Sequence, residues 1–388
     1  MTRIRMVLSP LPALSLIFFA AAVAQAQAPL PDPEKPGAFP VGVTTMSFTD
    51  HSRTDPATGG PRTLLTEIWY PATDDAKDLP KNRLSDFFLK NKSPELALLL
   101  YAGFGVELGE ADTRFQNFAA RDARVRDGLF PLLLFSHGNG GLRMQNAFWC
   151  EHMASHGYIV MAPDHTGNCA ATFVDGALVL FENSGDGRTR SAADRPKDLS
   201  FLIDEMGRLN AGNDSRFLGR VDLEKIGAAG HSFGGFTCSW LVNADPRVKA
   251  IAPMAGAAPA ADRTNYDCPL LLFIAAEDDT LGAGRMEDLR RYYEESKGPR
   301  YSVEFKNGGH FSFTEMHQLK PDFGDGVGKG KRVTNGEPLD YTPMETVYRL
   351  VNGYTTAFFG RYLRGQADYD TYLAENHLPE ELIHRHQP

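Results

Sequence analysis

The chain has 388 residues, of which 42% are hydrophobic and 23% charged, and its formal net charge is −9. These proportions are ordinary for a soluble globular protein, and the length is enough to bury a large core. The acidic balance, with no basic stripe, argues against a nucleic-acid partner and favours a neutral or uncharged substrate.

The first 28 residues have the features of an export signal. Arg3 and Arg5 give a positive start, an apolar run covers 11–23, and small-x-small cleavage sites follow up to Ala28. The apolar run is too short for a confident membrane span, although an uncleaved anchor is the alternative. We therefore expect an exported protein, periplasmic or secreted, with no stable membrane span in the mature chain and a single domain over 29–388. The sequence does not set the oligomeric state.

The chain then opens with two strand-like segments. Val41–Asp50 and Leu64–Tyr70 are joined by a glycine-proline turn and predict an antiparallel hairpin. The mixed Leu, Phe, Ala and charged residues of 74–127 predict a helical insertion before the sheet resumes. Insertions of this type commonly cover an active site, and a partial roof formed with the glycine-rich loop 318–343 is one interpretation of this segment. The alternative is that its aromatic residues belong to the core and that the loop is plain surface.

From Phe130 onward, strands and helices alternate regularly. This alternation predicts an α/β fold with a mostly parallel central sheet and helices on both faces, and its ligands should lie beyond the carboxyl ends of the strands. His384 and His386 fall in a tail that we expect to be frayed. The predicted strands are Phe130–Ser136, Tyr158–Pro163, Lys225–Gly230, Val248–Met254, Leu270–Ala275 and Tyr301–Phe305, and the predicted helices are Leu142–His156, Pro196–Leu209 and Gly235–Asn243.

The segment from Lys225 to Gly235, KIGAAGHSFGG, predicts a nucleophile elbow. Ser232 would lie at the tip of a sharp strand-to-helix turn, where Gly230 and Gly234 let strand and helix pass closely. The bare G-x-S-x-G pattern is weak in a glycine-rich chain, but the strand-like and helix-like flanks favour a catalytic Ser232 over a mere packing role for the glycines. We expect His231, inside the motif, to be a wall residue.

A nucleophilic serine needs a base and a group that orients the base. His310 follows the last predicted strand and is the predicted base. The acid should come between serine and histidine in the chain. Between them lies the predicted strand Leu270–Ala275, which is followed by three carboxylates, Glu277, Asp278 and Asp279. We predict Asp279, with Asp278 as the main alternative, and expect the other two carboxylates to be solvated.

The oxyanion of a tetrahedral intermediate needs two backbone N–H donors. We predict that Phe233 supplies one, and that Asn139, in the glycine-rich stretch His137–Gly141, supplies the other. The same stretch lacks the Lys-Ser or Lys-Thr of a phosphate loop, and no cofactor is implied.

The cysteines leave two interpretations open. In an exported chain they allow two disulfides with three possible connectivities, and buried thiols are the competing interpretation. No C-x-x-C pair or histidine cluster accompanies them, so we expect no metal site. Cys238, in the helix predicted after Ser232, is expected to pack in the core. The four cysteines are Cys150, Cys169, Cys238 and Cys268.

Four motifs, in this order, resemble those of a known family: FSHGNGG (135–141), ASHGYIV (154–160), GHSFGG (230–235) and GHFSFTE (309–315). The family comprises the bacterial dienelactone-hydrolase-like and platelet-activating-factor-acetylhydrolase-like α/β-hydrolases, and the resemblance covers roughly 39–373. It implies the α/β-hydrolase fold and a cofactor-free serine hydrolase of the carboxylesterase class. Such an enzyme would form an acyl-enzyme on Ser232 from a small-molecule or lipid ester.

Two departures from that family bear on the substrate. Dienelactone hydrolases proper use a cysteine nucleophile where this chain has Ser232. Platelet-activating-factor acetylhydrolases place the acid after the strand that follows the nucleophile, but Ala250–Gly256 has no carboxylate. The segment 277–280 resembles instead the acid loop of secreted bacterial cutinase-like polyester hydrolases, which supports Asp279. A lipase or phospholipase and a polyester hydrolase are therefore alternatives, and from a different class so is a catalytically inactive fold that serves as a binding module.

Overall fold

A ten-stranded sheet runs through the protein. The computed structural model describes residues 30–89, 108–212, 216–259, 262, 264–265 and 267–388. The predicted export signal over 1–28 and the middle of the predicted insertion, 90–107, lie outside the described residues. Pro31–Pro388 forms one compact unit.

The strands are β1 (Val41–Thr54), β2 (Pro61–Pro71), β3 (Ala120–Arg121), β4 (Phe130–Ser136), β5 (Ile159–Pro163), β6 (Ala171–Val174), β7 (Ala177–Leu180), β8 (Val221–His231), β9 (Val248–Met254), β10 (Leu270–Ala275), β11 (Arg300–Phe305), β12 (Lys329–Lys331), β13 (Pro338–Asp340) and β14 (Leu382–Gln387). The α-helices are α1 (Asp86–Leu89), α2 (Leu108–Arg114), α3 (Ala147–Ser155), α4 (Gly185–Ala211), α5 (Phe233–Ala244), α6 (Ala283–Glu295), α7 (Met316–Leu319), α8 (Met344–Arg364) and α9 (Tyr369–Ala374), and two short 3-10 helices cover Asp74–Asp78 and His310–Phe313.

The large sheet has the strand order β14-β11-β10-β9-β8-β4-β5-β2-β1-β3. The six central strands of this order, from β11 through β10, β9, β8 and β4 to β5, pair with one another in parallel. The hairpin of β1 and β2 is antiparallel, as its turn predicts, and joins the sheet next to β5. The predicted mostly parallel sheet is thus confirmed, with antiparallel strands near its edges.

The carboxyl-terminal tail is not frayed as we expected. It forms β14, which pairs antiparallel with β11 from Leu382 opposite Phe305 to Gln387 opposite Arg300. The two histidines of the strand lie against aromatic rings, His386 on Tyr301 and His384 on a tyrosine of α8. The backbone ladder and this stacking order a segment whose polar composition alone does not suggest a strand.

The described parts of the segment 74–127 contain short helices and one unpredicted strand. A 3-10 helix covers Asp74–Asp78, and α1 and α2 flank the residues that are not described. The segment then returns to the sheet, where Ala120 of β3 pairs in parallel with Gly42 of β1.

The two faces of the sheet are covered by different helices. In β4, Leu132 and Leu134 belong to a core cluster that includes Leu199 of α4. Phe135, on the opposite face, meets Trp149 of α3 with the ring centroids 5.3 Å apart. Because successive side chains of a strand point to opposite faces, the continuous apolar run of β4 indicates burial on both sides.

All four cysteines are among the described residues, and each is a buried free thiol. Of the two interpretations left open by the sequence, the structure therefore has buried thiols. Burial also raises the pKa of Cys150, Cys169 and Cys238, which keeps these thiols protonated. Separately, the helices that the structure describes include none that is long and apolar enough to cross a membrane.

The turn from β8 to α5 has the geometry predicted for an elbow. Ser232 has φ 55° and ψ −118°, a strained backbone conformation for a residue with a side chain. A Cβ on Gly230 would lie 2.5 Å from the carbonyl of Gly234, and a Cβ on Gly234 would lie 1.8 Å from the carbonyl oxygen of Ser136. At both positions a side chain would meet backbone atoms that cannot move aside, so only glycine fits.

We expect Gly234→Ala to destabilise the fold by about 3 kcal/mol or more, the upper end for overpacking, because its methyl group meets backbone. The matched control is Gly284→Ala in α6, where a Cβ meets nothing within 4 Å. That change should stabilise the protein by roughly 0.5–1 kcal/mol through lower backbone entropy in the unfolded chain. Urea denaturation of both variants measures the two effects, and equal unfolding midpoints would contradict the elbow argument.

Candidate active site

The residues predicted to act together meet where the parallel strands of the sheet end, which we call the carboxyl edge of the sheet. Ser232 follows β8, the carboxylates 277–279 follow β10, His310 follows β11, and the loop His137–Gly141 follows β4. These four strands are parallel, so the segments after their carboxyl ends converge.

A buried histidine–carboxylate pair lies at this edge. The Nδ1 atom of His310 is 2.7 Å from Oδ2 of Asp278. His310 is 2% exposed and Asp278 is 1% exposed, so water does not compete for this hydrogen bond. The other carboxylate oxygen of Asp278 accepts from the backbone N–H of Leu281 at 2.7 Å. Both oxygens are thus satisfied and the carboxylate is fixed in place.

The prediction that Asp279 is the partner of the histidine is wrong by one residue. Asp278 begins a tight turn in which the N–H of Gly282 bonds to the Asp278 carbonyl at 3.0 Å. An aspartate at the first position of a turn folds its carboxylate back over the turn, whereas the next side chain points outward. Asp279 is accordingly exposed. The glycine at 282 was the sequence signal for this register.

The third carboxylate of the group, Glu277, is not solvated as expected. It is 5% exposed. Its two oxygens accept hydrogen bonds from Nη1 of Arg332 and from the backbone N–H of Val333, both at 2.7 Å. Glu277 therefore ties the end of β10 to the glycine-rich loop.

Asp325, in the same glycine-rich loop, joins the acid turn to the histidine. Its Oδ2 atom accepts from the backbone N–H groups of His310 at 3.0 Å and Asp279 at 2.8 Å. Its Oδ1 atom accepts from the hydroxyl of Thr280 at 2.7 Å. One carboxylate thus fixes the two turns that carry the histidine–carboxylate pair. Asp325 was not predicted, because no local pattern distinguishes it within a loop that the sequence suggested only as part of a roof.

His231 is more than the wall residue that we expected. Its Nε2–H donates to the carbonyl oxygen of His310 at 2.9 Å, and its Nδ1 accepts from the Gln145 amide at 3.0 Å. The Gln145 oxygen in turn accepts from the N–H of Gly138 at 3.2 Å. Burial, with the nearby His310, lowers the pKa of His231 well below its usual range, so the ring is neutral and suits both bonds. This chain of bonds links the histidine turn to the loop after β4.

Ser232 is half-buried between these two segments. A Cβ on Gly138 would lie 3.6 Å from Cβ of Ser232, so the loop after β4 passes directly beside the serine. The ring of His231, the residue before the serine, is 4.7 Å from the ring of His310 between centroids. Within the described residues no hydrogen bond joins the serine hydroxyl to the His310 ring.

Two backbone N–H groups beside the serine are available to a ligand. Those of Phe233 and Asn139 have no acceptor within the described parts of the chain. The other donors of the loop are occupied, for example Gly140 N–H by the carbonyl of Asn168 at 3.0 Å. Asn168 also donates from its side chain to Oδ1 of Asn139 at 2.9 Å. The loop is therefore held in one conformation with the Asn139 donor free.

Behind the loop, three buried side chains repeat the order serine, histidine, aspartate. Nε2 of His165 is 3.0 Å from Oγ of Ser136, and Nδ1 of His165 is 2.9 Å from Oδ2 of Asp198. Each of the three has 0% exposure, so no substrate can reach them. Burial lowers the pKa of His165 to about 3. Burial alone would raise the pKa of Asp198, but the ion pair with Arg62 lowers it below its usual range. The neutral ring between a hydroxyl and a carboxylate is structural.

Metal ligands are not grouped at this edge or elsewhere in the ranges that the structure describes: no three or more His, Cys, Asp or Glu side chains lie together in a way that could hold an ion.

Two family models match consecutive parts of the chain. Residues 27–178 match the model described as platelet-activating factor acetylhydrolase, isoform II, and residues 178–323 match the model described as PET hydrolase-like. The loop His137–Gly141 lies in the first part, and Ser232, Asp278 and His310 lie in the second.

Curated relatives include two platelet-activating factor acetylhydrolases. That of Cavia porcellus is 24% identical over 286 residues, which make up 66% of this chain and 64% of the relative. That of Bos taurus is 28% identical over 279 residues, 62% of this chain and 59% of the relative. The match thus spans less than two thirds of either relative.

A solved structure is similar over nearly the whole chain. It is a ferulic acid esterase from Streptomyces cinnamoneus, which superimposes with a TM-score of 0.70 at 25% sequence identity. The superposition covers 90% of this chain and 98% of the esterase. With the sheet order, the elbow and the family matches, it shows that the chain belongs to the α/β-hydrolases of the platelet-activating-factor-acetylhydrolase-like and dienelactone-hydrolase-like group.

Proposed function

We propose that the protein is a serine hydrolase of carboxylic esters. The Ser232 hydroxyl attacks the ester carbonyl while His310 takes its proton, and His310 then gives that proton to the departing alcohol. The resulting acyl-enzyme is hydrolysed by a water molecule that His310 activates. Asp278 orients the histidine and stabilises its cationic form. The N–H groups of Phe233 and Asn139 bind the oxyanion.

The observation that carries this proposal is the buried His310–Asp278 pair beside the strained Ser232 elbow. The pair holds the His310 ring in a fixed orientation, and that ring lies 4.7 Å from the ring of His231, the residue before a serine whose backbone has an uncommon conformation. Both features support a serine activated by a histidine base. Before a substrate binds, the serine–histidine hydrogen bond is often long or poorly aligned, so its absence here is compatible with the mechanism. The two unoccupied N–H donors supply what the tetrahedral intermediate needs.

The substrate class follows from what the relatives share. Their names refer to a phospholipid acetyl ester, a polyester and a ferulic acid ester, and a carboxylic ester is common to all three. A short-acyl phospholipid is the second candidate, because residues 27–178, which include the oxyanion loop, match the acetylhydrolase model. Hydrolysis rates on a graded series of p-nitrophenyl esters, a short-acyl phospholipid and a soluble polyester oligomer would decide between them.

We also propose that residues 1–28 direct export and are then removed, so that the mature enzyme begins near 29 and acts outside the cytoplasm. The positive start, the short apolar run and the small-x-small sites support this. Fractionation of a bacterial host and sequencing of the mature amino terminus test the proposal. A full-length cytoplasmic product would contradict it.

We expect Ser232→Ala to abolish ester turnover and fluorophosphonate labelling while the thermal midpoint stays close to that of the wild type. The reason is that the hydroxyl is the nucleophile and makes no hydrogen bond to a described residue. The variant keeps a methyl group at the elbow, so the packing is unchanged. Turnover above a few per cent of the wild-type rate would place the nucleophile elsewhere.

Asp278→Asn should lower kcat on the order of 10³- to 10⁴-fold, because the amide no longer holds the productive tautomer of His310 or supports its charge. The matched control is the neighbouring change Asp279→Asn, which alters an exposed side chain and leaves the backbone bond to Asp325 intact. It should change kcat by less than about threefold, as expected of a surface substitution. A larger loss in the second variant than in the first would restore Asp279 as the acid.

Asp325→Ala should lower kcat on the order of 10- to 100-fold, because both catalytic turns lose the carboxylate that fixes them, and a displacement of about 1 Å can cost 100-fold. The control is Asp322→Ala, whose side chain is 80% exposed and pairs with Lys320 at 3.5 Å. Steady-state kinetics on one ester, with thermal midpoints, separate the two variants. Equal kcat values would show that the glycine-rich loop does not position the catalytic groups.

A further inference from the structure

We propose that Arg195 is a positioning residue of the oxyanion hole, and that its single guanidinium fixes both segments that supply the backbone N–H donors. This inference rests on the proposed function and deepens it, because it names the group that holds the hole in its active geometry. Arg195 lies in α4 and belongs to neither the elbow nor the loop after β4.

Arg195 reaches the loop after β4 through two hydrogen bonds. Its Nη1 donates to the carbonyl oxygen of His137 at 2.6 Å, and its Nη2 donates to the carbonyl oxygen of Gly138 at 3.0 Å. The Gly138 oxygen also accepts from Nδ1 of His137 at 2.6 Å. Arg195 is 0% exposed, so these bonds are shielded from water.

The bond to the Gly138 carbonyl sets the direction of the Asn139 N–H. Both groups belong to the same peptide unit, which is planar and trans, so the N–H points opposite to the C=O. The Gly138 oxygen accepts from Arg195, from His137 and, at 3.1 Å, from the backbone N–H of Gly141, so the Asn139 N–H is held on the opposite side of the peptide. Hydrogen bonds to the carbonyl also polarise the peptide and strengthen its N–H as a donor.

The same guanidinium contacts the second donor segment. Its central carbon lies 4.8 Å from the centroid of the Phe233 ring, within the range of a cation–π interaction. Phe233 supplies the other predicted oxyanion donor from the first residue of α5. Arg195 thus touches both sides of the hole, which come from parts of the chain almost one hundred residues apart.

Arg195 forms no ion pair with a described residue. In the described ranges no carboxylate lies within ion-pair distance of it, whereas Arg53 and Arg62 both pair with Asp198. Its Nε also lacks a hydrogen-bond partner among the described residues. Burial lowers the pKa of Arg195 to about 9, so the group is still a cation at neutral pH. A buried, unpaired cation is costly for stability, but its field favours a negative oxyanion in front of it.

The test compares Arg195→Lys with Arg364→Lys. Lysine keeps the charge but has no planar fork, so it cannot hold two carbonyls and a ring at once. Arg364 is a matched control, because it also donates to two successive carbonyls, those of His156 and Gly157, and lies over the ring of Tyr158 at 3.9 Å. Its carbonyl partners precede β5 and so lie at the amino-terminal end of the parallel strands, whereas Ser232 lies at their carboxyl-terminal end.

The readouts are kcat and KM for one ester, the affinity for an arylboronic acid that forms a tetrahedral adduct with a serine, and the thermal midpoint. We expect Arg195→Lys to lower kcat at least about 10-fold, approaching the 10²- to 10³-fold loss of a missing donor, with KM within about twofold. Boronic-acid affinity should fall by the same factor as kcat/KM. Arg364→Lys should leave kcat and boronic-acid affinity unchanged even if its thermal midpoint falls.

A folded Arg195→Lys variant with wild-type kcat and boronic-acid affinity would overturn the proposal, as would a loss confined to KM. If Arg195→Lys does not fold, Phe233→Leu removes the ring that the guanidinium contacts while keeping the backbone donor. That variant should lose kcat and boronic-acid affinity in parallel, roughly 2- to 30-fold, the range of a cation–π contact from exposed to desolvated. No loss there would overturn the proposal. Full activity of Ser232→Ala would instead be a failure of the proposed function itself.

Discussion

The contact on which the site depends is the close passage of the elbow helix over the end of β4. Gly234 lies so near the carbonyl of Ser136 that no side chain fits between them. The same contact brings Ser232 beside the loop that follows Ser136, where a Cβ on Gly138 would come within 3.6 Å of Cβ of the serine. The proposed nucleophile and the proposed oxyanion loop are therefore adjacent because two glycines lack a Cβ.

Several features could be predicted from sequence because local chemistry determines them. The elbow glycines, the apolar run of β4 and the position of His310 after the last parallel strand all depend on near neighbours in the chain. Asp278 was missed by one residue, since the choice depends on the register of a turn. Asp325 and Arg195 were missed altogether, because their role depends on contacts between distant segments that no spacing records.

The site combines two parts of the chain that match different family models. The part that resembles platelet-activating factor acetylhydrolase contributes the loop with Asn139, and the PET hydrolase-like part contributes Ser232, Asp278 and His310. The proposed acid, Asp278, follows β10 and lies in the PET hydrolase-like part, whereas the segment Ala250–Gly256 at the end of β9 has no carboxylate. Hydrogen bonds cross between the parts at the site: among them, Gln145 bonds to His231, and Arg195 bonds to the carbonyl of Gly138.

The buried histidines behind the site are uncharged, so they can take part in its hydrogen bonds without adding net charge there. Burial lowers the pKa of His137, His165 and His231, so each ring is neutral and offers one donor and one acceptor. Neutral rings can transmit hydrogen bonds through the interior without the desolvation cost of an ion. Arg195, which has no ion-pair partner among the described residues, is then a positive charge beside the proposed oxyanion loop, where it would stabilise the negative charge of a tetrahedral intermediate.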